Sequence, residues 1–411
     1  MKALIHLLPL VLAASGALAQ ETYEAPPTVR TADLLPPAIL TGTDYTIDPD
    51  VATDGFNGRF NIRSKFGDFE CVGREMLYTR LDELRALEEL DQVSKTKEFL
   101  NAVKGAAEEP VQAAAKIVTN PVGSAGSIPR GTAHLFGDVV GGAVDTGKSL
   151  GKVTEIGEKQ PKGPPGRDDP FGYNKARNLW AEKLGVDPYT SNRVLALKLN
   201  HLAMIDFGTD KVAGAGVGFG LGGLGVIAGY VSWLPDIDEH LLTAPPADVT
   251  KANTGRLEAL GVSQSDMKPL LDNPWFSPTL QTRFVNALAR LQKVSGMGNE
   301  TRLAGGAQSE EEARFFCGSL EILQRSLAGN GPLRELTAHA SVPAGVLTDG
   351  TLVVAAPVDL VAWTQTAAEF ATPQQGNGHA VLYINGALTQ GARDGFKARG
   401  WQVVQVSQPS S

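Results

Sequence analysis

Between residues 59 and 93 the spacing of apolar side chains changes from every second position to every third or fourth, and that change restricts the folds open to this chain. Arg59 to Arg63 and Asp68 to Gly73 alternate apolar and polar residues on either side of Ser64-Lys65-Phe66-Gly67, the pattern of a β-hairpin. Leu77, Leu81, Leu84, Leu87, Leu90 and Val93 follow at helical spacing, with Arg80, Glu83, Arg85, Glu88 and Glu89 between them. This second pattern predicts a long amphipathic helix. A chain that carries both periods belongs to the mixed α and β folds.

Gly350 to Val354, His379 to Ile384 and Trp401 to Val406 read as strands, and Ala387 to Arg399 as a helix closed by Gly400 at the C′ position. A strand, a helix and a strand in that order predict a small βαβ unit with a right-handed crossover. Between the two ends, residues 171–330 read as mainly helical, with segments at Leu195 to Phe207, Gly255 to Leu260 and Ser277 to Val294. Gly105 to Gly151 is rich in Gly, Ala and Val and is cut by Pro110, Pro121 and Pro129. The expected fold class is therefore mainly α with an N-terminal β-hairpin and a small C-terminal α/β (βαβ) unit, α+β overall. Its expected organisation is a leader at 1–19, an extended Pro-rich arm at 20–43, and a hairpin with amphipathic and Gly/Ala-rich helices at 44–158. A linker at 159–170, a helical domain at 171–330 and the α/β unit at 331–411 complete it.

The leader carries an address. Lys2 supplies a positive n-region, Leu4 to Leu12 an apolar h-region, and Ala17-Leu18-Ala19 a small-x-small cleavage site before Gln20. This is the pattern of a secretory signal peptide, and it predicts export to the periplasm or the extracellular medium, with membrane association left open. A composition of 42% apolar and 20% charged residues is that of a folded globular chain. The formal charge of −8 provides no general attraction to nucleic acid, and no nucleic-acid partner is expected. Cys71 and Cys317 are the two cysteines; in an oxidising compartment they are a candidate disulfide, the other reading being two buried thiols.

Several motifs point to chemistry. Asp236-Ile237-Asp238-Glu239-His240 is the densest group of ligand-type residues, and Asp236, Asp238, Glu239 and His240 suit a divalent metal or a general acid/base pair. The same run also reads as the acidic start of a helix after Pro235. Gly142 to Ser149 matches the spacing of a phosphate-binding loop, but it runs into the Pro-Gly linker, and an exported chain meets little nucleotide triphosphate; no nucleotide and no cofactor are expected. Gly147-Lys148-Ser149-Leu150-Gly151 has the form of a nucleophile elbow without the βαβ alternation that fold needs. Gly218 to Gly223 fits a dinucleotide fingerprint with no strand before it, and Asp48, Asp50 and Asp54 form an incomplete calcium-loop pattern.

Val212 to Leu234 holds no charge over 23 positions, and Gly214, Gly218 and Gly222, then Gly225 and Gly229, recur every four residues. On a helix these glycines form a flat stripe that admits a second helix, in a core or in a bilayer. The leading expectation is thus an exported, non-catalytic envelope protein that packs against a protein partner or the membrane surface through residues 212–234. The alternative is an exported hydrolase or metal-dependent enzyme centred on Asp236 to His240.

Overall fold

A computed structural model describes residues 22–93, 131–137, 170–209, 244–291, 294–327, 332–372 and 379–406. The architecture is mixed α+β, with an antiparallel sheet near the N-terminus and a second sheet at the C-terminus.

The first sheet grows from short strands. β1 (Thr28–Arg30) leads into α1 (Thr31–Leu34), and β2 (Tyr45–Ile47), β3 (Asp50–Thr53), β4 (Gly58–Ser64) and β5 (Gly67–Val72) follow. The predicted hairpin is β4 with β5, paired from Arg59↔Val72 to Ser64↔Gly67, and Gly67 takes a φ of +118° at the turn. β2 and β3 both pair with β4, and β1 pairs with β3, so the hairpin is part of a five-stranded sheet. The arm is correspondingly packed from Thr28 onward rather than extended, with Leu35 and Ile39 buried. Its prolines do not prevent this: Pro37 opens a single 3-10 turn, where a missing N–H costs nothing.

α2 (Arg74–Val93) is the predicted long helix. It buries Leu77, Leu81, Leu84, Leu87 and Leu90 against Val51, Phe60 and Ile62 of the sheet. α3 (Pro170–Leu184) and α4 (Arg193–Thr209) add Trp180, Leu184, Leu195 and Leu199 to this same core.

The second core is built by α5 (Pro246–Ala259), α6 (Gln264–Leu271), α7 (Pro278–Arg290), α8 (Met297–Ala304) and α9 (Glu310–Leu327) over a sheet. In chain order the C-terminal elements are β6 (Leu333–His339), β7 (Val342–Leu347), β8 (Leu352–Ala356), β9 (Leu360–Val361), α10 (Gln365–Phe370), β10 (Ala380–Ile384), β11 (Ala387–Leu388), α11 (Gln390–Ala398) and β12 (Trp401–Gln405). Ser277 caps α7 and Thr389 caps α11, each side chain accepting the N–H three residues on, from Leu280 and Ala392. The main sheet runs β12-β10-β8-β7-β6. β10, α11 and β12 form the predicted βαβ unit, parallel with Leu382 opposite Val403, and Gly400 has the φ of +79° expected of a C′ glycine.

Two expectations change. The hairpin β6–β7 adds two strands that the sequence pattern does not announce, because Pro343 and Gly345 interrupt the alternation. Residues 171–330 and 331–411 do not form separate cores: Phe284, Leu288, Phe316, Leu320 and Leu323 pack in one cluster with Val353, Val354, Leu382 and Ile384.

Candidate functional site

Charged and hydroxyl side chains link the elements of the two cores. On α2, Glu75, Thr79 and Glu83 recur every four residues and so share one face of the helix. Glu75 accepts hydrogen bonds from Arg283 Nη1 of α7 at 2.5 Å and from Arg314 Nη1 of α9 at 3.3 Å. Arg283 also grips Glu321 in bidentate fashion, Nε at 2.7 Å and Nη2 at 2.9 Å. Arg314 donates to Glu310 through Nε at 2.9 Å and Nη2 at 2.7 Å.

The network continues into the turn between α3 and α4. Arg80 donates to Glu83 and to Ser191 Oγ, both at 2.6 Å, and the Ser191 hydroxyl donates to Glu310. Glu83 also accepts from the Thr190 hydroxyl and, at 3.1 Å, from Asn192 Nδ2. Asp187 accepts the Thr279 hydroxyl at 2.7 Å and the Tyr189 N–H at 2.8 Å, a further tie to α7. A second node sits at Asp359, which accepts the Gly58 N–H at 2.9 Å and both the N–H and Nε of Arg74, at 3.1 and 3.0 Å.

Burial by itself would raise these carboxyls. At Glu75 the charges of Arg283 and Arg314 outweigh it, and at Glu310 those of Arg314 and Arg80, so both are held below the usual carboxylate range. Asp187 lies the other way: burial lifts it to about 6, against the opposing hydrogen bonds from Thr279 and Tyr189. A carboxylate held low by two guanidiniums is a weak base, and Asp187 is 4% exposed. The arrangement fixes charge in place between elements, and its chemical capability is that of a clasp.

By sequence, Arg80 and Glu83 belong to the polar side of an amphipathic helix. Glu83 is instead 2% exposed, and that side of α2 is an internal contact surface. The legible signal is the four-residue repeat of Glu75, Thr79 and Glu83; apart from Arg80 beside Glu83, their side-chain partners lie more than a hundred positions away along the chain.

The residues that the sequence motifs single out fare differently. Asp236, Asp238, Glu239 and His240, the glycines at 214, 218, 222, 225 and 229, and the segments 142–151 and 218–223 lie outside the described residues, as does 159–169 of the linker. Cys71 and Cys317 are free thiols, not a disulfide. Each is fully buried, Cys71 in the N-terminal core and Cys317 in the other, and burial pushes the Cys71 thiol up to about 12 and raises Cys317 as well. Both are therefore inert as nucleophiles at neutral pH. Asp48 pairs with Arg63 at 2.8 Å, and Asp54 accepts the N–H groups of Phe56 and Asn57, so the early acidic loop is used for turn structure. His339 is buried with Nε2 2.6 Å from the Phe370 carbonyl.

Among the described residues no group of three or more His, Cys, Asp or Glu is placed to hold a metal ion, and no helix is long and apolar enough to cross a membrane. Comparison with protein-family models, with curated proteins and with solved structures finds no match.

Proposed function

We propose that this chain is an exported, non-catalytic component of the cell envelope that serves as a scaffold for a protein partner or the bilayer. One observation carries the reading. In the densest ionic cluster among the described residues, Arg80, Arg283 and Arg314 are engaged with Glu75, Glu83, Glu310 and Glu321 across α2, α7 and α9. Groups committed to mutual pairing stabilise an assembly of elements, whereas acid/base work needs a titratable group that converges on a cavity with its pKa near the working pH. The secretory pattern of residues 1–19 supplies the address, and the uncharged stretch 212–234 supplies the surface that meets the partner.

The test combines sequencing and fractionation of the full chain in its native cell. Mature protein that begins at Gln20 and sediments with the envelope is the expected result, and a carbonate wash separates a protein partner, which releases it, from the bilayer, which retains it. A chain that begins at Met1 and stays in the cytosol overturns the proposal. So does a metal that copurifies with the wild type and is lost in both Asp238→Ala and His240→Ala.

A further inference from the structure

The C-terminal five-stranded sheet has two edges, and they are built differently. At one edge β6 carries Arg334 and Glu335, both exposed, and a bulge lies between Leu333 and Glu335. The chain at Ser295 and Gly296 then closes that edge. Ser295 bridges to Glu335, the Leu336 N–H donates to the Ser295 carbonyl at 2.9 Å, and a Cβ on Gly296 would overlap the Leu336 carbonyl. Charge, a bulge and a covering segment are the usual protections of an edge strand.

At the other edge β12 has none of the three. Trp401-Gln402-Val403-Val404-Gln405 holds no charge, no proline and no glycine, and it pairs in unbroken register with β10, from Ala380↔Trp401 to Ile384↔Gln405. Among the described residues no strand pairs with its outer side. The direction of its main-chain groups follows from one bond, the Val406 N–H to the Ile384 carbonyl at 2.8 Å. Residues of that parity face β10, so the N–H and C=O groups of Trp401, Val403 and Gln405 point away from the sheet. Gln402 and Gln405 are exposed, and Val403 and Val404 are half-buried. A bare, uncharged edge with β-branched residues at its centre is a template for a further strand.

We propose that β12 is the dimerisation edge of this chain, occupied by β12 of a second copy that runs antiparallel about a twofold axis at Val403. A second copy brings the same bare edge, so one contact covers both and closes the assembly. A foreign peptide, by contrast, finds no charge on this strand by which to be chosen. The register follows from the pattern of outward groups. They fall on alternate residues, and only an axis at the middle one, Val403, engages all of them. Val403 then exchanges N–H and C=O bonds with Val403 of the second copy, Trp401 does so with Gln405, and Gln402 stands opposite Val404. No charge meets its like within the strand pair. A five-residue strand buries less than the roughly 1,200 Å² of a standard interface, so the dimer belongs to the weak class. This inference does not depend on residues 212–234 or on the proposed address.

Sedimentation equilibrium of the chain from Gln20 to Ser411, over about 1–500 μM, reads the association, and a dissociation constant of about 10–100 μM is expected. Val403→Pro removes an N–H that faces outward and leaves the bonds to β10 in place, a change that edge strands tolerate. Val403→Lys and Val403→Glu each set like charges against one another at the axis. Each variant is expected to weaken the dimer at least about tenfold, with a thermal melt reporting that it is folded. Gln405→Pro, at the exposed end of the strand, makes the same test should Val403→Pro fail to fold. An equimolar mixture of Val403→Lys and Val403→Glu is expected to associate again, because the axis sets position 403 against itself. Wild-type chain that stays monomeric at about 500 μM overturns the proposal. So does a dimer unmoved by these variants, or a mixture that associates no more tightly than either variant alone.

Discussion

Glu300 is the residue at which burial acts with least opposition. It lies on α8 at 2% exposure, and neither carboxylate oxygen accepts a hydrogen bond from the described residues. Burial alone pushes its pKa up to about 8. The folded state therefore keeps a proton that the unfolded chain releases near 4.5, so the folded state binds more protons across that window and stability falls as pH rises from about 4.5 to 8. At pH 7 the loss relative to acid is about 3 kcal/mol for a shift of this size. Glu300→Gln has the shape without the charge, and it should gain on wild type steadily between pH 5 and 8. Urea midpoints for the two proteins at both ends of that range decide the matter; a difference that does not grow with pH would mean that Glu300 is ionised without penalty. The sequence carries no hint of this site, since Asn299-Glu300-Thr301 reads as ordinary helical surface.

At the scale of elements, local signals are legible in the sequence and long-range ones are not. β4, β5 and α2 declare themselves through period, and α11 through its C′ glycine, because each property depends on neighbours within a few residues. β1, β2 and β3 have only three or four residues each, too few to show alternation, and they exist because β4 offers an edge. Glycines inside helices show the same division, since propensity is local and the meaning of a missing side chain is not. Gly255 in α5 has nothing within 4 Å of where a Cβ would stand, whereas at Gly395 in α11 that Cβ would overlap the Trp363 ring. Trp363 has little room to yield, with Phe396 packed edge-on at 5.5 Å and Arg399 across its ring. Gly255→Ala should therefore stabilise by up to about 1 kcal/mol, the ordinary propensity gain. Gly395→Ala has the same gain but meets overpacking worth about 1–3 kcal/mol, so it should lower the melting temperature. Thermal melts of the two variants beside wild type check the opposite signs; a rise for Gly395→Ala would show that the indole is free to move.

At the scale of the molecule, the two cores are joined by charge as well as by apolar contact, and this is the part of the candidate site least open to a sequence reading. Nothing local marks Glu75 as the partner of Arg283 and Arg314, which are more than two hundred positions away. The consequence can be tested at Arg314, which is 4% exposed and joins Glu75 and Thr79 of α2 to Glu310 of α9. Arg314→Met keeps the bulk of the stem and removes the charge, which leaves two partly buried carboxylates each short of a guanidinium. Breaking a fully buried pair costs about 3–5 kcal/mol and a surface pair about 0–1 kcal/mol; with the carboxylates partly exposed and each still facing a second guanidinium, the loss should lie between, at about 2 kcal/mol. The pH dependence should change with it. Glu75 and Glu310 are held below their unfolded value of about 4.5, so their pairing contributes stability above that pH and loses it as pH falls through the folded values. In Arg314→Met much of that contribution is already gone at pH 7, and the further loss on acidification below 4.5 should be smaller than in wild type. Hydrogen exchange locates the effect: faster exchange in the first turns of α2, in residues 187–192 and along α9, with the strands β8 and β10 still protected, is the pattern of two cores parting at the clasp. A variant within about 1 kcal/mol of wild type at pH 7, with an unchanged acid limb, would mean that apolar packing alone holds the cores together and that the network is incidental to it.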